Sequence, residues 1–301
     1  MINDKQNICH FLMTPFTGLG LFQGYRGDDW LRNRIEIFKN YTLKAILNQT
    51  NENFIHCLNF RPQEKINPQV MELERHLKKI RHYQFIFTYH GIMFWDDKYE
   101  NDNLKERLEQ TLPELKEIIG KRKYVYETVQ PSDDMYLCDA VEKIQLEDYK
   151  DKKAICYVAG YILNAQTGQL AEYNPLTNPP FYTLMYTTEQ FLNPEWHFNW
   201  IRKIKSHELV GNYTNYFPYN ERKFCVAVHG ENISTNWSFY KGREIEGKEK
   251  VEVCGKLGID PFIKEFESLK QKSSALAVKR KIIQRIPFNN ILRKLYYVFH
   301  E

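Results

Sequence analysis

From Ile8 to Val129 the chain alternates short apolar runs with longer segments of helical period, and that alternation limits its fold more than any other feature. Ile8-Cys-His-Phe-Leu-Met-Thr14 reads as a first strand that breaks into the loop Pro15-Phe-Thr-Gly-Leu-Gly20. Leu31, Ile35, Phe38, Leu43, Ile46 and Leu47 then recur at helical spacing between Trp30 and Leu47, and Phe54–Phe60 reads as the next strand. A second helix is expected from about Gln69 to Lys79, and a third strand at Phe85–Tyr89. A third helix, Leu104–Ile119, has Leu108, Leu112, Leu115 and Ile118 on one face, and a fourth strand follows from Tyr124. Strands that alternate with helices in this way predict an α/β fold with a mostly parallel sheet, helices on both faces and binding residues at the carboxyl ends of the strands.

The fourth strand stops at Pro131, directly before two adjacent acids, Asp133 and Asp134. Two carboxylates at a strand end have the chemistry to hold a divalent cation and a nucleotide ribose; a solvated Asp-Asp turn is the other reading. After Asp134 the pattern changes. Asp139–Tyr149 continues as a helix, a hairpin is expected from Ala154–Leu163 and Leu170–Tyr173, and Asn174–Phe181 is a proline-rich loop. A short helix is expected at Trp196–Ile204, and Phe224–His229 is the last strand. One domain, residues 1–240, followed by a basic helical extension, 241–301, is the expected organisation.

The composition, 43% hydrophobic and 15% aromatic, suits a folded chain with a sizeable core. Lys and Arg number 42 against 38 acids, a net charge of +4 that is too near balance to point to a nucleic-acid partner. Six cysteines lie scattered in apolar runs without CxxC spacing, as reduced core thiols do, so a cytoplasmic location is expected. The first residues lack the pattern of a signal peptide, and no window approaches a membrane span.

Several segments, in order, resemble glycosyltransferases of the GT-A fold, in particular a bacterial rhamnosyltransferase-like family. They are His10-Phe-Leu-Met-Thr-Pro-Phe16, Trp30-Leu-Arg-Asn-Arg-Ile-Glu-Ile-Phe38, Gln49-Thr-Asn-Glu-Asn-Phe54, Pro131-Ser-Asp-Asp134 and Val228-His-Gly-Glu-Asn-Ile-Ser-Thr-Asn-Trp237. Together they cover about residues 8 to 240. The chain departs from the family pattern at Pro131, where an acid is expected, and at Pro15, where an arginine is expected.

The resemblance implies a Rossmann-like GT-A sheet and a hexosyltransferase that moves a sugar from a nucleotide-sugar donor to a glycan or lipid-linked acceptor, with Mn²⁺ or Mg²⁺ as cofactor. A catalytically silent nucleotide-sugar or glycan-binding protein of the same fold is the alternative. By the same resemblance Asp133 contacts the nucleotide and Asp134 ligates the metal, joined by His229 at the end of the last strand; a hydrogen-bonded structural histidine is the other reading for His229. Nucleotide recognition falls to Thr14 and Phe16 after the first strand and to Asn59 and Arg61 after the second; local packing is the other reading for each. Glu189 is the candidate carboxylate for the acceptor hydroxyl's proton, with Glu195 close behind; a solvated surface glutamate is the other reading. Trp196, Trp200 and Trp237 offer apolar faces for a sugar ring or belong to the core. His10, His56, His90 and His207 read as structural. The stretch from Lys270 to His300 is rich in Lys and Arg, without acids, and carries an apolar helical stripe from Ile291 to Phe299. Such a helix either lies on an anionic membrane surface, here the inner membrane face, or packs on the domain.

Overall fold

β1 (Ile8–Pro15) turns Cys9, Phe11 and Met13 to one face of a sheet and Ile8, His10, Leu12 and Thr14 to the other, as the two-residue period of a strand requires. The computed structural model describes residues 7–17, 28–89, 101–151, 153–197, 199, 207–212, 215–229, 232 and 235–261. From β1 the chain enters α1 (Asp28–Ile37), which runs through a π-helical turn, Phe38–Thr42, into α2 (Leu43–Leu47). The expected helix Trp30–Leu47 is therefore present, with one irregular turn in its middle. Next come β2 (Ile55–Asn59), a 3₁₀ turn at Pro62–Ile66, α3 (Pro68–Leu77) and β3 (Gln84–Thr88). α4 (Asn101–Ile119) then leads to β4 (Tyr124–Val129). β1 pairs in parallel with β2 on one side and β4 on the other, and β3 pairs in parallel with β2. The resulting order, β3-β2-β1-β4, is that of a Rossmann-like sheet, and the chain changes direction of winding between β1 and β4.

Two apolar layers hold this half together. Leu108, Leu112, Leu115 and Ile119 of α4 cover Phe11, Met13, Val125 and Val129 on one face. Leu31, Ile35, Phe38 and Ile46 cover Leu12 and Leu58 on the other, with Val70 and Leu73 of α3. A polar row crosses beneath the second layer: His10 Nε2 lies 2.7 Å from Thr128 Oγ1, whose partner is Thr183 at 2.6 Å, and His10 Nδ1 lies 3.1 Å from Gln145. Burial pushes the His10 and His56 imidazoles down to about 3, so both are neutral packing residues, as expected.

The second half is mixed. β5 (Met135–Tyr136) and α5 (Ala140–Gln145) precede the hairpin of β6 (Lys153–Asn164) and β7 (Leu170–Tyr173). β8 (Tyr182–Thr187), not anticipated from the sequence, runs antiparallel to β4 and joins the halves. α6 (Thr188–Leu192) follows it, and β9 (Asn215–Val228) runs parallel to β6 along its whole length and antiparallel to β5. This last arrangement curls the sheet. β9 is far longer than the expected Phe224–His229, because its first residues are half-exposed, mixing aromatic and polar side chains around Pro218, and are held by β6 rather than forming an apolar run. The boundary expected at residue 240 follows α7 (Trp237–Tyr240) and is crossed at once by β10 (Lys241–Ile245), which pairs with β7. α8 (Gly247–Leu257) then packs Val253, Cys254 and Leu257 on Ile37, Tyr41 and Ala45. The basic amphipathic stretch expected near the end lies outside the described residues. Among those described, no helix is long and apolar enough to cross a membrane.

Gly160, in the middle of β6, has the ring and carbonyl of Phe224 where a Cβ would stand, 2.6 Å away, and that ring stacks on Phe181 at 3.9 Å. Gly160→Ala is expected to lower stability by about 2–3 kcal/mol through overpacking, measured as a shift of the urea midpoint at unchanged m-value.

A buried carboxylate sits in the α4 layer. Glu127 of β4 accepts a hydrogen bond from Tyr186 Oη at 2.8 Å, and its Oε2 lies 3.9 Å from His197 Nε2. Burial pushes Glu127 up to about 7 despite the tyrosine, and pushes His197 down to about 4.

Candidate functional site

The turn after β4 is shaped by Gln130, whose side-chain amide donates to the carbonyls of Pro131 at 3.0 Å and Asp134 at 2.9 Å. Its own backbone N–H donates to Met13 of β1, which ties the turn to the end of the first strand. β5 then pairs Met135 with Cys225 and Tyr136 with Phe224. Continuing that antiparallel register backwards sets Asp134 opposite Val226, one position before Ala227, and Asp133 opposite Ala227, next to the end of β9. The two acids consequently have different surroundings although they are neighbours in sequence.

Asp134 is buried, and its Oδ1 accepts the backbone N–H of Ala227 at 3.0 Å. Burial, and then the charge of Asp133, push its carboxyl well above the usual range. Asp133 instead faces two basic groups. Its Oδ2 lies 2.5 Å from Arg34 Nη1 and 3.1 Å from His229 Nε2. Burial opposes its ionisation, but the Arg34 guanidinium and the His229 imidazole outweigh that and hold the carboxyl well below the usual range. The His229 backbone is fixed by Asn232, whose Oδ1 accepts its N–H at 2.8 Å while Nδ2 donates to the Ala227 carbonyl at 2.8 Å.

Arg34 was not anticipated from the sequence. It follows Leu31 by three positions and precedes Phe38 by four, so it stands on the buried stripe of α1, and a charge on such a stripe was the available signal. Its side chain is 6% exposed, that of Asp133 is 16%, and its Cζ lies 5.4 Å from the ring of Trp30. The Arg34 Nε has no hydrogen-bond partner among the described residues.

The remaining expected residues divide sharply. Thr14 is buried and bonds His56 Nε2 at 2.7 Å, and Phe16 stacks on Phe60 at 4.9 Å inside the core. Asn59 accepts from Thr88 Oγ1 at 2.5 Å, and its Nδ2, also buried, has no partner among the described residues. Arg61 is bound through Nε and Nη2 to Glu64 at 2.9 and 2.7 Å, where Glu64 also takes the Thr17 hydroxyl. These contacts knit the loops after β1 and β2 together.

Glu189 is exposed in the first turn of α6. The antiparallel pairing of β8 with β4 sets Thr187 opposite Tyr124, at the amino end of β4. Glu189 thus stands at the opposite end of that strand from Asp133, on the order of 20 Å away at about 3.3 Å per residue, and does not enter the site. Glu195 is exposed and lies 3.6 Å from Lys105, while Trp196 packs edge-on to Tyr186 and Trp237 is buried in the core of the second half. His207 bonds the Asn178 carbonyl; His90 and Trp200 lie outside the described residues.

Among the described residues no group of three or more His, Cys, Asp or Glu side chains is arranged to hold a metal ion. Asp133 and His229 make a two-donor set. Mg²⁺ and Mn²⁺ commonly bind through one or two protein ligands, the rest coming from water and substrate phosphates, so a carboxylate and an imidazole 3.1 Å apart fit such an ion when it arrives with a diphosphate.

Because Asp134 is spent on β9, Asp134→Ala is expected to cost about 1–3 kcal/mol by leaving the Ala227 N–H unsatisfied, while Asp134→Asn, which keeps an acceptor, restores most of that loss in thermal denaturation.

A scan against protein-family models returns no match, and a search of curated proteins returns none. Among solved structures the chain is similar to the inositol-1-phosphate CTP transferase from T. maritima, at 12% identity and a TM-score of 0.34 over 73% of this chain and 89% of that one. A likeness at that score bears on neither fold nor chemistry.

Proposed function

We propose that the protein is a glycosyltransferase that takes a sugar from a nucleotide-sugar donor, with the diphosphate bound at Asp133 and His229 together with Mg²⁺ or Mn²⁺. The observation that carries this reading is the convergence of Arg34, Asp133 and His229, from three separate parts of the chain, beside the β1–β4 switch point of a Rossmann-like sheet. In open α/β sheets ligands bind at that crevice. The ordered resemblance to GT-A enzymes agrees with it.

A divalent ion, when bound, would neutralise charge growing on the departing diphosphate. The chain's own contribution is to keep Asp133 ionised, to hold His229 against it, and to fix both through Gln130 and Asn232. This reading departs from the sequence expectation in one respect: Asp133, rather than Asp134, is the acid beside His229. The acceptor, a glycan or a lipid-linked sugar, belongs to the same proposal, and vesicle co-sedimentation of the full chain tests the lipid-linked case.

A second reading, a silent nucleotide-sugar-binding protein, draws support from the distance of Glu189 from this site and from Pro131. The two are separated by incubating the protein with UDP-, GDP- and dTDP-sugars and Mn²⁺. Slow donor hydrolysis, lost on chelation, supports a transferase; binding without hydrolysis supports the silent reading; neither binding nor hydrolysis removes both.

A further inference from the structure

We propose that Arg34 is the resting counter-cation of Asp133: it occupies the carboxylate's cation position in the ligand-free protein and yields it when a divalent ion enters with a nucleotide diphosphate. The inference rests on the nucleotide-site reading above and adds a residue and an order of events to it.

Arg34 Nη1 and His229 Nε2 both address the same oxygen of Asp133, Oδ2, at 2.5 and 3.1 Å. A cation bound by Asp133 and His229 would stand between these two groups, where the guanidinium now contributes its charge. With Arg34 in place the Asp133–Arg34 pair is neutral, so a lone dication meets a fixed positive charge a few ångströms away and is held weakly. A diphosphate brings negative charge with the ion and gives Arg34 a new partner. The guanidinium is equipped for that exchange. It is nearly buried, its Nε has no partner among the described residues, and its planar fork matches phosphate oxygens. The Trp30 ring 5.4 Å from Cζ limits how far it can turn. Ion and nucleotide therefore bind cooperatively, each poorly alone.

The test is Mn²⁺ binding, followed through the electron paramagnetic resonance of the free ion, with and without UDP, GDP or dTDP. For the wild-type chain the diphosphate that binds should raise Mn²⁺ affinity on the order of tenfold or more. In Arg34→Gln, Mn²⁺ alone should bind on the order of tenfold more tightly, with the enhancement by nucleotide largely lost. Arg34→Lys, which keeps the charge, should hold Mn²⁺ alone as weakly as the wild type does. An Arg34→Gln protein with wild-type Mn²⁺ affinity and intact enhancement overturns the inference while leaving the nucleotide site standing. Failure of every form to bind Mn²⁺ with any of the three diphosphates overturns the site itself. The wild-type chain gives a reading that needs no stable Gln variant. In ¹⁵N-arginine side-chain spectra, the guanidinium signal absent from Arg34→Lys should shift on adding Mg²⁺ with the binding diphosphate. An unmoved signal at saturation overturns the exchange.

Discussion

Replacing Asp133 with alanine is expected to destabilise the fold by about 3–5 kcal/mol as well as to abolish Mn²⁺-dependent nucleotide binding, because it strands the buried Arg34 guanidinium without a charged partner. An acid at a strand end would ordinarily be replaceable at little cost. The 2.5 Å contact to a side chain only 6% exposed reverses the expectation. Equilibrium urea unfolding measures the loss. Adding Arg34→Met to the alanine variant should recover a large part of it, since an apolar pair of similar bulk removes the stranded charge. Nucleotide binding should not return in the double variant. An alanine variant with the wild-type urea midpoint would mean that the pair is open in solution.

The second large effect concerns Glu127, remote from the nucleotide site. Its carboxyl is pushed up to about 7 in the folded chain from an ordinary 4.5, so the folded state binds the extra proton between those values. The stability associated with this group is fully present below pH 4.5 and is lost as pH rises through about 7. The difference corresponds to about 3 kcal/mol at pH 8. Glu127→Gln keeps an acceptor for Tyr186 and cannot ionise. Its advantage over the wild type should be near zero at pH 4.5 and grow to about 3 kcal/mol by pH 8. The comparison must be between the two proteins, because His10, His56 and His197 act in the opposite sense. Their folded values lie below 6.5, so the stability they carry is present above that value and lost as the solution is acidified. A constant difference across the range would mean that Glu127 is solvated.

The first half of the fold was legible because its signals are local. Leu108, Leu112 and Leu115 fall on one helical face, and the runs around Phe11, Cys57 and Val125 are too short and too β-branched or aromatic for anything but buried strands. β8 escaped notice because Tyr182–Thr187 has no alternation: it is buried on both faces between β4 and β6. The first residues of β9 escaped for the opposite reason, being half exposed and mixing aromatic with polar side chains around Pro218. At the site, Asp133 and His229 were found as strand ends, but their pairing was not. The registers of β5 on β9 and of β8 on β4 decide which acid meets His229 and which end of the sheet receives Glu189, and register is a non-local property. Thr14 and Phe16, legible as strand-end residues, turn inward to His56 and Phe60, partners that come from the neighbouring strand and the residue after it and are not read from local sequence.

The parallel pairing of β9 with β6 has a kinetic corollary. β9 comes to β6 only after about fifty intervening residues, and His229 reaches Asp133 across 96 positions of sequence. Contacts of such long separation form late, since loop closure must precede any gain from them. The β1–β4 half, with its crossovers completed within the first 129 residues, can collapse earlier. A refolding chain should then regain helical circular dichroism before it regains affinity for nucleotide, and the interval between the two reports the docking of β9.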